Sequence, residues 1–213
     1  MKAIINQKNL KYMTDCMTGR RIVYIVPGMN TPPKHKPFLE VAKLFRSNGI
    51  KPILININWK SSMNGYITQF IKKYNVTKKD GDKVYLFGFS AGAWIVLMAA
   101  IKLVPYMTIL CSPSPYFKED IKYWRRKWIR EIGEEKFVSF NNYKFKSAMR
   151  KFRSKMIVFI GDKEYDFMLR RAKAIHKSID NSRLVVVKSG EHDIGKKEYI
   201  RALWENLTQD NLF

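Results

Sequence analysis

Residues 84–92 read VYLFGFSAG, an apolar run ending in a serine with a glycine two places away on either side, and residues 93–104, AWIVLMAAIKLV, are again almost wholly apolar. Val84 to Phe87 are β-branched, aromatic or leucine, the make-up of a short strand covered on both faces. The run after Gly92 has the length and composition of a buried helix. Ser90 therefore stands at a strand-to-helix corner. Such a corner holds its central residue in a strained backbone conformation, and the residues two before and two after it must be small to avoid collision. It also presents the serine hydroxyl at the N-terminal end of the helix, where unpaired amides and the helix dipole favour developing negative charge. A serine between glycines is a weak signal alone; its place between a buried strand and a buried helix makes it specific.

Outward from this corner, apolar runs of strand length recur at Ile22 to Val26, Ile53 to Ile57, Met107 to Cys111, Met156 to Ile160 and Leu184 to Val187. Most are separated by segments of helical character, such as KPFLEVAKLFRSNG, NGYITQFIKKYNV and FMLRRAKAIHKSI. This alternation predicts an α/β fold: a doubly wound, mostly parallel sheet with helices on both faces, whose ligands bind beyond the carboxyl ends of the strands. The alternation breaks between Ser112 and Lys155, a stretch far longer than the usual connection of under about 12 residues. It is expected to carry helices of its own and to form a helical lid at about 115–153 within a single domain spanning 1–213. Residues 1–20 predict no more than an edge strand at KAIIN and a loop.

A chain of 213 residues that is 46% hydrophobic can bury a substantial core. Forty Lys and Arg against eighteen Asp and Glu leave a formal charge of +22. That field attracts nucleic acid, acidic headgroups and carboxylate or phosphate substrates alike, and so identifies none of them. Lysine, isoleucine and asparagine are all abundant, so a general compositional bias accounts for the basicity equally well. The longest uncharged apolar run, Ala93 to Ile101, falls well short of the roughly 18 residues of a membrane span. The first residues show neither an apolar leader nor a cleavage site. The expectation is a cytoplasmic protein without a membrane span. Cys16 and Cys111 are the two cysteines, and their separation matches no disulfide framework or metal-ligand spacing.

A serine hydroxyl is a poor nucleophile unless a base takes its proton, usually a histidine steered by a carboxylate. Of the three histidines, His35 sits in the loop PPKHKP and His176 in a charged helix, both positions of solvated side chains. His192 follows the last strand, RLVVV, in the loop KSGEHDIG. That loop leaves another carboxyl end of the sheet, so His192 can face Ser90 across the same edge.

With these features in this order, the chain from about Arg21 onward resembles a compact, lidded member of the α/β-hydrolase superfamily. The resemblance implies an acid one strand before the histidine, in GDKEYD after the strand KMIVFI, where Asp162, Glu164 and Asp166 compete. The family's spacing of three residues after the strand's closing glycine points to Glu164. Asp166 is the alternative if the loop runs two residues later, and Asp162 reads as a turn or cap residue. SPSP at 112–115 has no carboxylate at its start, which disfavours the other acid position the family uses. The resemblance further implies an oxyanion hole from the amides of Ala91 and Met29, with Asn30 as second choice for the latter. Pro27 stands where many members have histidine, and glutamate replaces the commoner aspartate.

The activity implied is that of a serine hydrolase cleaving an ester, thioester or related acyl bond of a small-molecule substrate, with no metal or organic cofactor. Two rivals stand beside it: a basic nucleic-acid-binding protein, for which no recognised motif speaks, and a catalytically silent hydrolase-like interaction protein. Within the lid, a helix over KEDIKYWRRKWIREI would place Ile121, Trp124 and Trp128 on one face, among Lys122, Arg125, Arg126, Lys127 and Arg130. The rings either pack the lid onto the body with the cations in water, or line an acyl pocket while the arginines steer an anionic substrate. The two readings are compatible.

Overall fold

In the computed structural model, which describes residues 19–207, each apolar run becomes a strand of one sheet. The edge strand expected at KAIIN, and Cys16, lie outside the described residues. The strands are β1 (Arg21–Val26), β2 (Lys51–Leu54), β3 (Lys83–Phe89), β4 (Met107–Cys111), β5 (Lys155–Gly161) and β6 (Ser182–Val187). They form a six-stranded sheet in the order β2-β1-β3-β4-β5-β6, and every neighbouring pair is parallel. Ser90 follows β3, a central strand.

The runs are continuous because both faces of the sheet are covered. Side chains alternate along a strand, so Ile22, Tyr24 and Val26 of β1 enter one core and Val23 and Ile25 the other. Helices α1 (Lys36–Ser47) and α8 (Lys197–Leu207) pack on the second face through residues such as Phe38, Phe45, Tyr199 and Leu203. The first face carries α2 (Met63–Thr77), α3 (Ala91–Leu103) and α7 (Asp166–Lys177), whose Phe70, Trp94 and Ile175 are in its core. Most of α3 is buried, which is why no polar stripe interrupts its sequence.

One strand is displaced from its run. β2 spans Lys51–Leu54, not Ile53 to Ile57. The Ile55 amide still donates to the Ile25 carbonyl at 2.9 Å, but the next bond of a parallel ladder would have to come from residue 27. Pro27 has no N–H, so pairing stops there, while Ile55 and Ile57 stay buried as core residues.

Between β4 and β5 the chain forms a 3-10 turn (Lys118–Tyr123), α4 (Arg126–Ile132), α5 (Glu134–Ser139), a second 3-10 turn (Phe140–Asn142) and α6 (Phe145–Lys151). The single helix expected over KEDIKYWRRKWIREI is thus broken at Trp124 and Arg125, whose backbones are extended with ψ of 131° and 150°. Tertiary bonds at the break and just before it outweigh helix continuation, which would gain about one hydrogen bond per residue. The Trp124 Nε1–H donates to the Pro115 carbonyl at 3.2 Å. Asp120 receives Arg171 of α7, Nε at 3.0 Å from Oδ2 and Nη2 at 2.5 Å from Oδ1.

This Asp120–Arg171 pair is almost wholly buried, with side-chain exposures of 4% and 7%, and the guanidinium also lies over the Phe145 ring at 3.9 Å. Burial pushes the Asp120 carboxyl up, and Arg171 opposes that shift. Removing one partner leaves the other charge buried and uncompensated, so Asp120→Leu or Arg171→Met alone is expected to lower stability by about 3–5 kcal/mol. The double variant should recover most of that loss, because neither charge is then stranded. Urea unfolding midpoints of the three variants check this; a double variant no better than the worse single one would show that the pair's partners do not matter to each other.

Candidate active site

The turn at the end of β3 has the geometry its sequence demands. Ser90 adopts φ 54° and ψ −119°, a conformation that costs a residue with a Cβ of order 1–3 kcal/mol. The backbone around it is packed too tightly for side chains. A Cβ on Gly88 would lie 2.4 Å from the Gly92 carbonyl oxygen, and one on Gly92 would lie 2.2 Å from that of Val26. The loop after β1 therefore presses directly on the first turn of α3. This brings Met29 and Asn30 to the cavity that Ser90 borders, beside Ala91, the first residue of α3, whose amide has no acceptor within the helix.

The structure brings three of the residues singled out in the sequence into hydrogen-bonding contact. His192 Nε2 lies 3.0 Å from Ser90 Oγ, and its Nδ1 lies 2.7 Å from Glu164 Oε2. The loops after β5 and β6 are tied together below these side chains: the Asp162 amide donates to the Val187 carbonyl at 3.0 Å and the Lys163 amide to that of Gly190 at 2.9 Å. The imidazole rests on the Phe89 ring at 5.1 Å. The Glu164 side chain is fully buried while that of His192 keeps 35% of its exposure. Asp162 and Asp166 are both exposed, the latter as the first residue of α7, where the helix dipole favours a carboxylate. His35 is exposed next to α1, and His176 bonds Ser182 at 2.9 Å in the last turn of α7. Neither reaches Ser90.

Two residues not read from the sequence complete the network. The other carboxylate oxygen of Glu164, Oε1, accepts a hydrogen bond from Ser112 Oγ and lies 3.1 Å from the Tyr199 hydroxyl, and the two hydroxyls are 2.5 Å apart. Three contacts share two protons: Ser112 donates to Glu164, and Tyr199 divides its proton between the carboxylate and Ser112. Burial, reinforced by the Glu164 charge, pushes the Tyr199 hydroxyl far up, so it stays protonated and donates. Ser112 is held in the left-handed region at φ 48°, with its amide on the Phe159 carbonyl at 2.8 Å. It closes β4 at the point where SPSP lacks a carboxylate, so a hydroxyl there was the available signal. Nothing distinguishes Tyr199 among the eleven tyrosines of the chain. The neighbouring Cys111 thiol is pushed well up, first by burial and then by Glu164, and is inert as a nucleophile.

Ser90 and His192 open onto a cavity of about 490 Å3. Tyr116, Trp124, Trp128, Tyr165 and Phe167 wall it, so the break at Trp124 does not prevent the two tryptophans from facing the same space. Ser114 Oγ lies 3.2 Å from Ser90 Oγ, and burial pushes the Tyr116 hydroxyl up to about 12 against a hydrogen bond to Ser114. The lid cations are placed elsewhere. Lys122, Arg126, Lys127 and Arg130 are exposed, while Arg125 and Arg170 line a neighbouring depression of about 450 Å3. Among the described residues, no cluster of three His, Cys, Asp or Glu could hold a metal ion, and no helix is long and apolar enough to cross a membrane.

No family model matches the chain, and no curated protein matches it in sequence. Solved structures do. Est1E from Butyrivibrio proteoclasticus, with ferulic acid bound, superposes with a TM-score of 0.77 at 13% identity, over 91% of this chain and 89% of that one. Dienelactone hydrolase from Anabaena variabilis gives 0.64 at 14% identity over 88% and 83%. Alpha/beta hydrolase domain-containing protein 10 from mouse gives 0.64 at 14% identity over 87% of both chains.

Proposed function

We propose that this chain, an α/β-hydrolase by fold, is a serine hydrolase that cleaves an ester, thioester or related acyl bond. The observation that carries the proposal is the unbroken series of hydrogen bonds from Ser90 through His192 to Glu164, starting from a backbone held in a strained conformation beside a helix N-terminus. Strain of this kind persists where the surrounding structure over-determines it, and is concentrated at functional sites. Ser90 Oγ attacks the acyl carbonyl carbon as its proton passes to His192 Nε2. The imidazolium keeps its Nδ1–H on Glu164, and the amides of Ala91 and Met29 receive the oxyanion. Collapse of the tetrahedral adduct expels the leaving group, which takes the proton from Nε2 and leaves Ser90 acylated. Water then repeats the sequence and releases the acid.

No cofactor enters this chemistry. The segment at about 115–153 serves as a lid over the cavity within one domain, and the substrate is a small molecule; the similar structure of Est1E has a small molecule, ferulic acid, bound. The cytoplasm is the expected location. Ser112 and Tyr199 act as positioning residues, holding the Glu164 carboxylate so that its free oxygen meets Nδ1.

The test is labelling with a fluorophosphonate, which reacts only with an activated serine. The native chain should be labelled on Ser90. Tyr199→Phe and Ser112→Ala should each slow labelling by about tenfold, the worth of one hydrogen bond to a charged group, measured on variants that urea titration shows to be folded. A folded native chain that resists the reagent would remove the serine-hydrolase reading and return its two rivals, a catalytically silent hydrolase-like interaction protein and a basic nucleic-acid-binding one. Labelling rates unaffected by either substitution would remove the positioning role.

A further inference from the structure

The rings that wall the cavity come from two separate parts of the chain: Tyr116, Trp124 and Trp128 belong to the segment inserted between β4 and β5, and Tyr165 and Phe167 follow β5. They brace one another. Trp128 lies 5.0 Å from both Tyr165 and Phe167, Tyr165 and Phe167 are stacked at 5.8 Å with 19° between planes, and Trp124 is 5.6 Å from Tyr116. Their polar atoms are partly engaged already, Trp124 Nε1 by the Pro115 carbonyl and the Tyr116 hydroxyl by Ser114. What the wall offers a ligand is ring faces and edges.

Charge is arranged to match. Among the described residues, the acidic or basic side chains that line this cavity are His192 and Glu131, the latter exposed. The guanidinium of Arg125 lies over Trp128 at 5.4 Å and that of Arg170 over Tyr123 at 4.6 Å, both in the neighbouring depression that shares the wall formed by Trp128, Tyr165 and Phe167. The large basic surface of the protein therefore does not extend into the space beside Ser90.

We propose that this cavity is an acyl pocket selective for a neutral acyl group that ends in an aromatic ring, a specificity that rests on the serine-hydrolase reading of Ser90. A ring lying against this aromatic wall gains offset-stacked or edge-to-face contacts beyond the burial of its area. An alkyl chain of equal carbon number gains only the area and gives up the freedom of more rotatable bonds. A volume of about 490 Å3 is within the range of pockets that enclose a small organic ligand. A carboxylate on the far end of the ring would lose hydration beside Glu131, in a cavity that no Lys or Arg lines among the described residues, a placement that disfavours an anionic acyl group.

The experiment compares kcat/KM for the methyl esters of 3-phenylpropanoic and nonanoic acids, whose acyl groups have the same carbon count and similar intrinsic reactivity, by proton release. The phenyl ester should be preferred by about tenfold or more, the effect of one or two ring contacts. Trp128→Leu and Phe167→Leu should each bring that ratio down towards one, and two independent variants guard against a misfolded protein. The phenyl ester carrying a para-carboxylate should be turned over about tenfold more slowly than the neutral one at low ionic strength. A ratio at or below one in the native chain, a ratio unmoved by both variants, or equal turnover of the carboxylated ester would each overturn the proposal. Those outcomes differ from failure of the underlying reading, in which Ser90 is not labelled and no ester is hydrolysed, a result that overturns both.

Discussion

Ser90→Ala is expected to lower kcat on an ester by on the order of 10^5-fold or more, His192→Ala by a similar factor, and the double variant scarcely further. The near-equality follows from the geometry. Ser90 Oγ and His192 Nε2 share one proton across 3.0 Å, so each is idle without the other, and removing the second partner of a disabled pair takes nothing more away. What survives is the help of the oxyanion amides and of substrate binding. The same residue yields a stability test. Alanine retains the Cβ that makes φ 54° unfavourable, whereas glycine does not. Ser90→Gly should therefore exceed Ser90→Ala in urea midpoint by an amount corresponding to about 1 kcal/mol, and both should be inactive. Full turnover by a folded Ser90→Ala protein would remove the nucleophile; additive losses in the double variant would mean that Ser90 and His192 do not act as a unit.

Glu164→Gln is expected to lower kcat by about 10^4-fold, against a change within about twofold for Asp166→Asn. The buried Glu164 carboxylate accepts on both oxygens, from Nδ1 of His192 on one and from Ser112 and Tyr199 on the other. An amide has one accepting and one donating end. With its NH2 towards His192, it forces the imidazole to accept at Nδ1 and carry its proton on Nε2, where it can no longer take a proton from Ser90. With its NH2 towards the hydroxyls, it obliges Ser112 and Tyr199 to accept where they had donated, and it still lacks the charge that supports the imidazolium. Either arrangement fails. Asp166 is exposed at the start of α7, and its neutralisation costs only a share of the helix-dipole interaction. Steady-state kinetics of the two variants at matched stability check the contrast; the reverse ranking would transfer the acid's role to Asp166.

The parts of the fold that were legible in the sequence are those set by burial and by backbone sterics. A parallel strand covered on both faces must be apolar at every position, so β1, β3, β4 and β5 stand out as unbroken runs. Gly88 and Gly92 are dictated by carbonyl groups closer to them than a Cβ allows, which makes the corner at Ser90 recognisable from nearest neighbours alone. Once the alternation of strand and helix places the carboxyl ends on one edge, His192 and the carboxylates of GDKEYD are brought to the same edge as Ser90. Boundaries that depend on a partner were less legible. The early end of β2 follows from a missing N–H on Pro27 in a different strand, and the break at Trp124 from bonds to Pro115 and, through Asp120, to Arg171.

By itself, then, the sequence determined the parallel α/β architecture, the strained serine and the set of residues at the carboxyl edge of the sheet, because periodicity, steric exclusion and chain order are local properties. Tertiary structure decided the rest. Which of Asp162, Glu164 and Asp166 turns inward depends on the loop that follows β5 and on how the loop after β6 is tied to it. Ser112 and Tyr199 meet at one carboxylate oxygen from opposite ends of the second half of the chain, a convergence no spacing encodes. The division of the lid segment between rings lining the cavity and cations lying outside it was likewise decided only by packing. A helical period places both on known faces of one helix, but the chain abandons that helix at Trp124 because a part-buried hydrogen bond and a buried ion pair outweigh the small gain of continuing it.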